Sequence, residues 1–352
     1  MKTPSLATAL ALALALPAAA QTPAFAPPEA SAAAASPFAY AKSGRKKAHL
    51  AEVEAKGEAG RVIGGEPAPD GAWPWQVALM ITGEPVGPDA QFCGGTLLLD
   101  TWVLTAAHCV HMADEDGTYA DLPPGAITVL AGSNTLAPKQ GDLVPVRGIY
   151  RHPGYVGTAF DNDIALIRLA RAPNTDYATI KVPDAEFGDM LDQPGVTTIV
   201  TGWGLVEGGD HPADMRQAEI QMMSRDLCNQ AMLEARAAEA VKGFAYAAQV
   251  FGFTEDGAQS AWEEFIARVP LPMSENMLCS GTFEGGRTAC QGDSGGPLVV
   301  PLDDGSYVQA GVVSWGLAAG PENRCAEDAL FSAYTRVSNY LPWLEQTIAQ
   351  AR

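Results

Sequence analysis

The stretch Gly292-Asp293-Ser294-Gly295-Gly296-Pro297 places a serine among glycines, directly after an aspartate. Glycines permit a tight turn whose backbone N–H groups point outward, with no Cβ to crowd a bound molecule. Such N–H groups bind the negative oxygen that forms when a hydroxyl attacks a carbonyl. The stretch therefore predicts that Ser294 is a nucleophile.

A serine hydroxyl is a weak nucleophile, so it needs a base, and the base needs a carboxylate to orient it. Two upstream stretches supply them: Thr105-Ala106-Ala107-His108-Cys109 and Asp161-Asn162-Asp163-Ile164-Ala165-Leu166. Each of these residues alone is more often a turn, cap or core residue. Together, in the order His108, Asp163, Ser294, they match one of the known chain orders of a catalytic triad.

The chain resembles the chymotrypsin/trypsin family of serine endopeptidases, from Val62 to about Gln346. The other stretches that carry the resemblance are Arg61-Val62-Ile63-Gly64-Gly65, Trp73-Pro74-Trp75-Gln76-Val77, Cys93-Gly94-Gly95, Thr201-Gly202-Trp203-Gly204 and Ser314-Trp315-Gly316. It implies an all-β fold of two six-stranded antiparallel β-barrels with the active site between them. His108 and Asp163 would come from the first barrel and Ser294 from the second.

Short alternating runs between Gly and Pro turns also indicate an all-β fold. They predict strands at residues 76–81, 96–105, 127–131, 144–150, 165–169, 197–202, 297–300 and 309–315. Helical spacing predicts a C-terminal helix that packs on the body, through Tyr340, Leu341, Trp343, Leu344 and Ile348.

The segment between Cys228 and Cys279 is longer than its counterpart in the resembling family. Apolar residues recur there at helical spacing: Leu233, Ala237, Val241, Phe244, Ala248 and Phe251, then Trp262, Phe265, Ile266 and Val269. The pattern predicts a helical insertion at about residues 229–272, with Thr254 as a cap. Two interpretations stay open: decoration that packs on the barrel, or a lid or exosite that restricts which substrates enter.

The resemblance assigns the chemistry residue by residue. His108 takes the proton of Ser294, Asp163 orients the imidazole, and the backbone N–H groups of Gly292 and Ser294 form the oxyanion hole. The strand Ser314-Trp315-Gly316 pairs with the substrate backbone.

The sequence specifies less clearly the pocket that would bind the substrate side chain preceding the cleaved peptide bond. The resemblance implies that Thr288 lies at its base, that Gly316 leaves its mouth open, and that Ser332, where many relatives have glycine, could narrow it. Because a neutral Thr288 offers no partner for Lys or Arg, we expect cleavage after medium apolar residues. Acidic residues on the loop around Cys325 leave an alternative open, that a charge reaches the pocket from the side; they are Glu322, Glu327 and Asp328.

The N-terminal region predicts export and processing. Residues 1–20 have the charge, apolar core and small-residue end of a signal peptide, and residues 21–61 form a pro-segment too polar to bury a core. The protease domain then covers residues 62–352. Cleavage after Arg61 would free an α-ammonium on Val62, which the resemblance pairs with Asp293. Gln91 stands where several zymogens have a histidine that holds the inactive state.

Composition sets the remaining expectations. The formal net charge of −19 argues against binding nucleic acid or an anionic membrane, and we expect a monomer without membrane contact after signal removal. An exported chain with 6 cysteines favours disulfides. The resemblance selects the pairs Cys93–Cys109, Cys228–Cys279 and Cys290–Cys325. No metal or other cofactor is expected, since residues 132–142 lack a calcium loop's glutamates and His111 has no suitable zinc co-ligands.

The sequence as a whole predicts a secreted or periplasmic serine endopeptidase, made as a zymogen. Its partners are protein or peptide substrates and an activating protease. Two alternatives remain: a catalytically silent protease-like binding protein, and an esterase on the same fold.

Overall fold

A computed structural model of the chain describes residues 65–113, 119–206, 211–282, 287–316, 318–319, 324–325 and 331–351. The predicted signal peptide and pro-segment lie outside these residues, as do Arg61 and Val62. The loop carboxylates Glu322, Glu327 and Asp328 also lie outside them.

Strands dominate the described residues. In chain order they are β1 (Glu66–Pro67), β2 (Gln76–Ile81), β3 (Gln91–Leu99), β4 (Trp102–Thr105), β5 (His111–Ala113), β6 (Tyr119–Asp121), β7 (Ile127–Ala131), β8 (Asp142–Arg151), β9 (Ala165–Leu169), β10 (Thr197–Gly202), β11 (Arg216–Met223), β12 (Met277–Gly281), β13 (Pro297–Pro301), β14 (Tyr307–Gly316), β15 (Ala318–Ala319), β16 (Arg324–Cys325) and β17 (Phe331–Arg336). The helices are α1 (Ala185–Leu191), α2 (Arg225–Val250), α3 (Glu255–Ala267) and α4 (Leu341–Gln350). Short 3-10 helices cover Pro88–Ala90, Pro124–Ala126 and Val337–Tyr340.

The first half of the chain forms a closed six-stranded barrel in the order β2-β3-β4-β9-β8-β7. Neighbouring strands are antiparallel throughout. In β2 and β9 nearly every side chain is buried, because these strands line the barrel core. The pattern of alternating apolar residues predicted both of these strands with their observed bounds.

The second half forms another six-stranded barrel in the order β11-β10-β13-β14-β17-β12. It closes where β12 returns to β11, with Met223 opposite Cys279 and Gln221 opposite Gly281. Strand β1 pairs with β11 at the margin. The two antiparallel barrels and the C-terminal helix α4 confirm the predicted fold class.

Several strand predictions were wrong in detail. Residues 96–105 are not one strand but two, because the chain reverses between Leu99 and Trp102, which face each other in the β3–β4 hairpin. Three strands of the second barrel were missed: β11, β12 and β17. All six residues of β17 are buried although Ser332, Thr335 and Arg336 are polar, so no alternation marks it in the sequence.

Residues 225–274 form a compact helical unit of their own. Helix α3 begins after Thr254, whose hydroxyl accepts a hydrogen bond from the Gly257 N–H at 3.2 Å, as the cap prediction requires. Trp262 and Val241 are buried between α2 and α3, and the ring of Phe244 lies 5.1 Å from that of Trp262. The helical character predicted for this segment is therefore confirmed, with α2 beginning slightly earlier than expected, at Arg225.

Candidate active site

Ser294 lies on a tight turn that only glycine-rich sequence can make. Gly292 and Gly295 have φ values of +98° and +79°, which L side chains rarely adopt. A Cβ on Gly295 would lie 2.6 Å from the carbonyl oxygen of Gly94 in the first barrel. Gly94 in turn donates its N–H to the Ser294 carbonyl at 2.7 Å. The Cys93-Gly94-Gly95 segment thus supports the turn that carries Ser294.

His108 and Asp163 are brought together from distant parts of the first barrel. Nδ1 of His108 lies 2.7 Å from Oδ2 of Asp163, and the His108 backbone N–H donates to Oδ1 at 2.8 Å. Asp163 is fully buried, while a fifth of the His108 side chain is exposed. Since an ionised carboxylate only accepts, Nδ1 carries the proton, and Nε2 is left as a base.

The second barrel also holds Asp163. Ser314 Oγ donates to Asp163 Oδ2, and Thr335 Oγ1 donates to the Asp163 carbonyl at 2.7 Å. Sequence reasoning assigned Ser314 only to substrate pairing, and it assigned nothing to Thr335. These contacts fix the carboxylate that orients His108.

The turn before Asp163 has an unusual backbone. Phe160 and Asn162 have φ values of 52° and 55°, which are uncommon for residues other than glycine. Asn162 donates through Nδ2 to the Gly154 carbonyl at 2.9 Å and accepts from the Tyr340 hydroxyl at 3.1 Å. The ring of Phe160 meets the His108 ring edge-on at 5.8 Å. The strained turn thereby sets the direction in which Asp163 enters the site.

Among the described residues, none hydrogen-bonds the Ser294 hydroxyl or the N–H groups proposed for the oxyanion hole. Within the described ranges, no hydrogen bond joins Ser294 Oγ to His108 or to any other residue. The same residues offer no acceptor for the N–H groups of Gly292 and Ser294. These groups therefore keep their hydrogen-bonding capacity for a bound molecule.

Asp293 is buried beneath this turn. Its Oδ1 accepts the Gly204 N–H at 2.8 Å and its Oδ2 accepts the Cys290 N–H at 2.9 Å. No cationic side chain of the described residues faces it, and burial raises the pKa of Asp293 to about 6 in spite of the two hydrogen bonds. A cation placed beside this buried carboxylate would stabilise its ionised form.

Thr288 and Ser332, which were predicted to shape the substrate pocket, are both buried, and their hydroxyls are hydrogen-bonded to each other. Ser332 Oγ would lie 3.4 Å from a Cβ placed on Gly316, so it occupies the space beside that glycine. Trp315 and Gly316 pair with Ala333 and Ser332 of β17. Pairing with β13 ends at Val312, so among described strands their other edge has no partner.

A cavity of about 830 Å³ lies next to His108. The other lining residues are His111, Met112, Ala113, Tyr119, Tyr155, Val156, Gly157, Thr158 and Phe160. His111 Nδ1 lies 2.6 Å from an Asp121 carboxylate oxygen that also accepts from Arg151 Nε at 2.7 Å. The aromatic and apolar walls of this cavity suit a substrate side chain that lies next to His108.

The disulfide between Cys93 and Cys109 ties β3 to the segment that carries His108. Ligand atoms of Cys93, His108 and Cys109 lie close together, but the two sulfurs are bonded to each other and offer no thiolates to a metal. Cys228, Cys279 and Cys290 are each disulfide-bonded as well. The side chain of Cys325 lies outside the description, so the predicted pairing of these four stays a prediction.

The family model described as Trypsin matches residues 62–344. The chain belongs to the trypsin family. It is similar to "Serine protease 56" of Homo sapiens, with 31% identity over 296 residues, 82% of this chain and 39% of that protein. It is also similar to "Serine proteinase stubble" of Drosophila melanogaster, with 31% identity over 293 residues, 81% of this chain and 30% of that protein. The chain thus spans less than half the length of these curated relatives.

The trypsin family consists of serine peptidases. The shared mechanism of that family uses a serine, a histidine and an aspartate. In the described part of the chain, no helix is long and apolar enough to cross a membrane.

Proposed function

We propose that this trypsin-family chain is an active serine endopeptidase in which His108, Asp163 and Ser294 form the triad. The observation that carries the proposal is the fully buried Asp163 carboxylate, which binds His108 through both its ring and its backbone N–H. A protein retained only for binding has no need of an imidazole held in this tautomer by a buried carboxylate.

The reaction follows from this geometry. Ser294 Oγ bonds to the scissile carbonyl carbon while its proton passes to His108 Nε2, and the carbonyl oxygen becomes an oxyanion bound by the N–H groups of Gly292 and Ser294. Losing one such donor typically lowers the rate by roughly 10²–10³-fold. The C–N bond then breaks as His108 returns the proton to the leaving amine. Water, deprotonated by His108, finally hydrolyses the acyl-enzyme and restores Ser294.

Ser294→Ala tests the assignment. Purified Ser294→Ala should lose casein hydrolysis by at least about 10⁴-fold and lose labelling by a fluorophosphonate probe, with its unfolding transition unchanged. Ser306→Ala, in the connection from β13 to β14, is the matched control and should behave as wild type. Wild-type cleavage by Ser294→Ala would contradict the triad. Wild-type protein that has been cleaved after Arg61 and still takes up no probe would favour the binding-protein alternative. Cleavage of esters but of no library peptide would favour an esterase.

The proposal includes a secreted precursor activated by cleavage after Arg61. Its support is Asp293, a buried carboxylate that lies next to Ser294 without a described cation. A new α-ammonium on Val62 would supply that cation, and the Val62 and Ile63 side chains favour its burial. Because Thr288 disfavours cleavage after arginine, we expect the activating protease to be a different enzyme.

Arg61→Gln tests the activation step. The variant precursor should keep its 61–62 bond and stay inactive when trypsin is added, whereas the wild-type precursor should gain activity as a new N-terminus appears at Val62. Sequencing of both N-termini accompanies the assay. Full activity with the 61–62 bond intact would contradict the mechanism. Exported precursor should begin at Gln21.

A further inference from the structure

The carbonyl of Gly292 is held by a chain of two hydrogen bonds that the sequence did not reveal. Gln91 Nε2 donates to the Gly292 carbonyl at 2.8 Å, and Gln91 Oε1 lies 2.9 Å from His211 Nε2. A carbonyl can only accept, so the amide nitrogen of Gln91 must face Gly292 and its oxygen must face His211. The Nε2 atom of His211 therefore carries a proton.

Both residues are packed directly against Gly292. A Cβ on that glycine would lie 3.0 Å from His211 Nε2 and 3.3 Å from Gln91 Oε1. Gln91 is buried at the start of β3 in the first barrel, and His211 is half-buried in the connection from β10 to β11 in the second. The chain of hydrogen bonds thus crosses from one barrel to the other at Gly292, whose N–H is proposed to bind the oxyanion.

The environment of His211 favours its neutral form. Burial lowers the pKa of its imidazole, although the carboxylate of Asp89 and the backbone carbonyls of Trp203 and Pro88 act in the opposite direction. A neutral ring with its proton on Nε2 donates to Gln91, and a protonated ring would donate from the same atom. The ring is therefore set to orient the amide under ordinary conditions.

Gly292 needs such support because glycine rotates freely. The peptide before it is held by the Leu205 N–H, which donates to the Gln291 carbonyl at 2.8 Å. The peptide after Gly292 is held at both ends. Its carbonyl accepts from Gln91, and its N–H, which belongs to Asp293, donates to the Cys290 carbonyl at 2.9 Å. With Gln91 removed, the Gly292 carbonyl loses its side-chain partner, and the peptide after Gly292 is held on one side only.

We propose that Gln91 and His211 are positioning residues that hold Gly292 in the conformation in which its N–H binds the oxyanion. This rests on the proposed function, in which Gly292 and Ser294 form the oxyanion hole. Gln91 touches Gly292 and His211 touches Gln91, so each acts through the backbone and neither touches the reacting atoms.

The test compares kcat, KM and the rate of inactivation by diisopropyl fluorophosphate, using the activated enzyme. In that inactivation Ser294 Oγ bonds to phosphorus, fluoride leaves, and the serine proton passes to His108, with the phosphoryl oxygen in the oxyanion hole. Gln91→Met keeps the shape of the side chain and removes its donor. We expect about a tenfold loss of kcat, KM within about twofold of wild type, and an equal loss in inactivation rate. Gln193→Met, an exposed glutamine, is the matched control.

Substitutions of His211 give a second, independent test, because His211 is only half-buried whereas Gln91 is buried. His211→Leu should lower kcat and the inactivation rate about threefold or more, whereas His211→Asn, whose amide can donate to Gln91, should restore most of both. An unchanged kcat in Gln91→Met and His211→Leu, or a rise in KM alone, would overturn the proposal. A loss of kcat with normal inactivation would also overturn it. If wild-type enzyme itself is neither active nor inactivated, the proposed function fails instead.

Discussion

Replacing Asp293 by asparagine in the uncleaved precursor should remove a pH dependence from its unfolding free energy. The carboxylate is buried and accepts hydrogen bonds from the N–H groups of Gly204 and Cys290. Burial nevertheless dominates, and it raises the pKa of Asp293 from 3.8 to about 6. The folded precursor therefore binds this proton more tightly than the unfolded chain does.

The sign and size follow from linkage. A carboxyl group whose folded pKa is raised stabilises the fold below its unfolded pKa, and this contribution is lost as the pH rises through the folded pKa. For Asp293 the loss spans about pH 4 to about pH 7 and amounts to about 3 kcal/mol. In Asp293→Asn the amide keeps an oxygen for one N–H and presents an amino group to the other, which costs about 1–3 kcal/mol at every pH.

The assay is urea unfolding of the Arg61→Gln precursor, with and without Asp293→Asn, at a series of pH values across that window. The difference between the two free energies should change by about 3 kcal/mol, while the contributions of all other carboxylates cancel. In cleaved wild-type enzyme the Val62 ammonium should lower the pKa of Asp293, so the decline with rising pH should disappear. Parallel curves for the two precursors, or the same decline before and after cleavage, would refute the reasoning.

Three further outcomes are expected. Replacing Cys93 and Cys109 together by serine should lower the free energy of unfolding by about 3 kcal/mol, measured by urea titration, because the bridge closes a loop with a sequence separation of 16; an unchanged value would contradict this. Asn162→Ala should lower the free energy of unfolding by about 1–2 kcal/mol more than Asn162→Gly does, because only glycine adopts the positive φ without strain. Equal losses of unfolding free energy would show that the backbone is not strained. Wild-type cleavage of a peptide library should not be dominated by Arg and Lys, whereas Thr288→Asp should raise their share at least about tenfold and Thr288→Asn should not; a wild-type profile led by Arg or Lys would point to the loop carboxylates.

The sequence predicted those parts of the site that are short and continuous along the chain. A glycine-flanked serine, a histidine before a cysteine and an aspartate before an apolar run each carry their signal within a few residues. Strands β2, β7, β9 and β10 were predicted with their observed bounds for a similar reason, since alternation is a local property.

The strand predictions that failed concern residues whose hydrogen-bond partners lie far away in the chain. Strand β17 was missed because its buried polar residues are satisfied from elsewhere: Ser332 by Thr288, Thr335 by the Asp163 carbonyl, and Arg336 by Asp192 and Asp189. Burial of a polar group is tolerated only when such a partner is present, and no pattern within β17 shows it.

What the sequence by itself determined is the family, the two-barrel fold and the identity of the candidate triad, because each follows from local motifs in a fixed order. Only the tertiary structure decided how those residues are held. The bonds from Ser314 and Thr335 to Asp163, and from His211 through Gln91 to Gly292, join residues more than 100 positions apart. Hydrogen bonds require donor and acceptor within about 3 Å, and folding alone brings such distant groups to that distance.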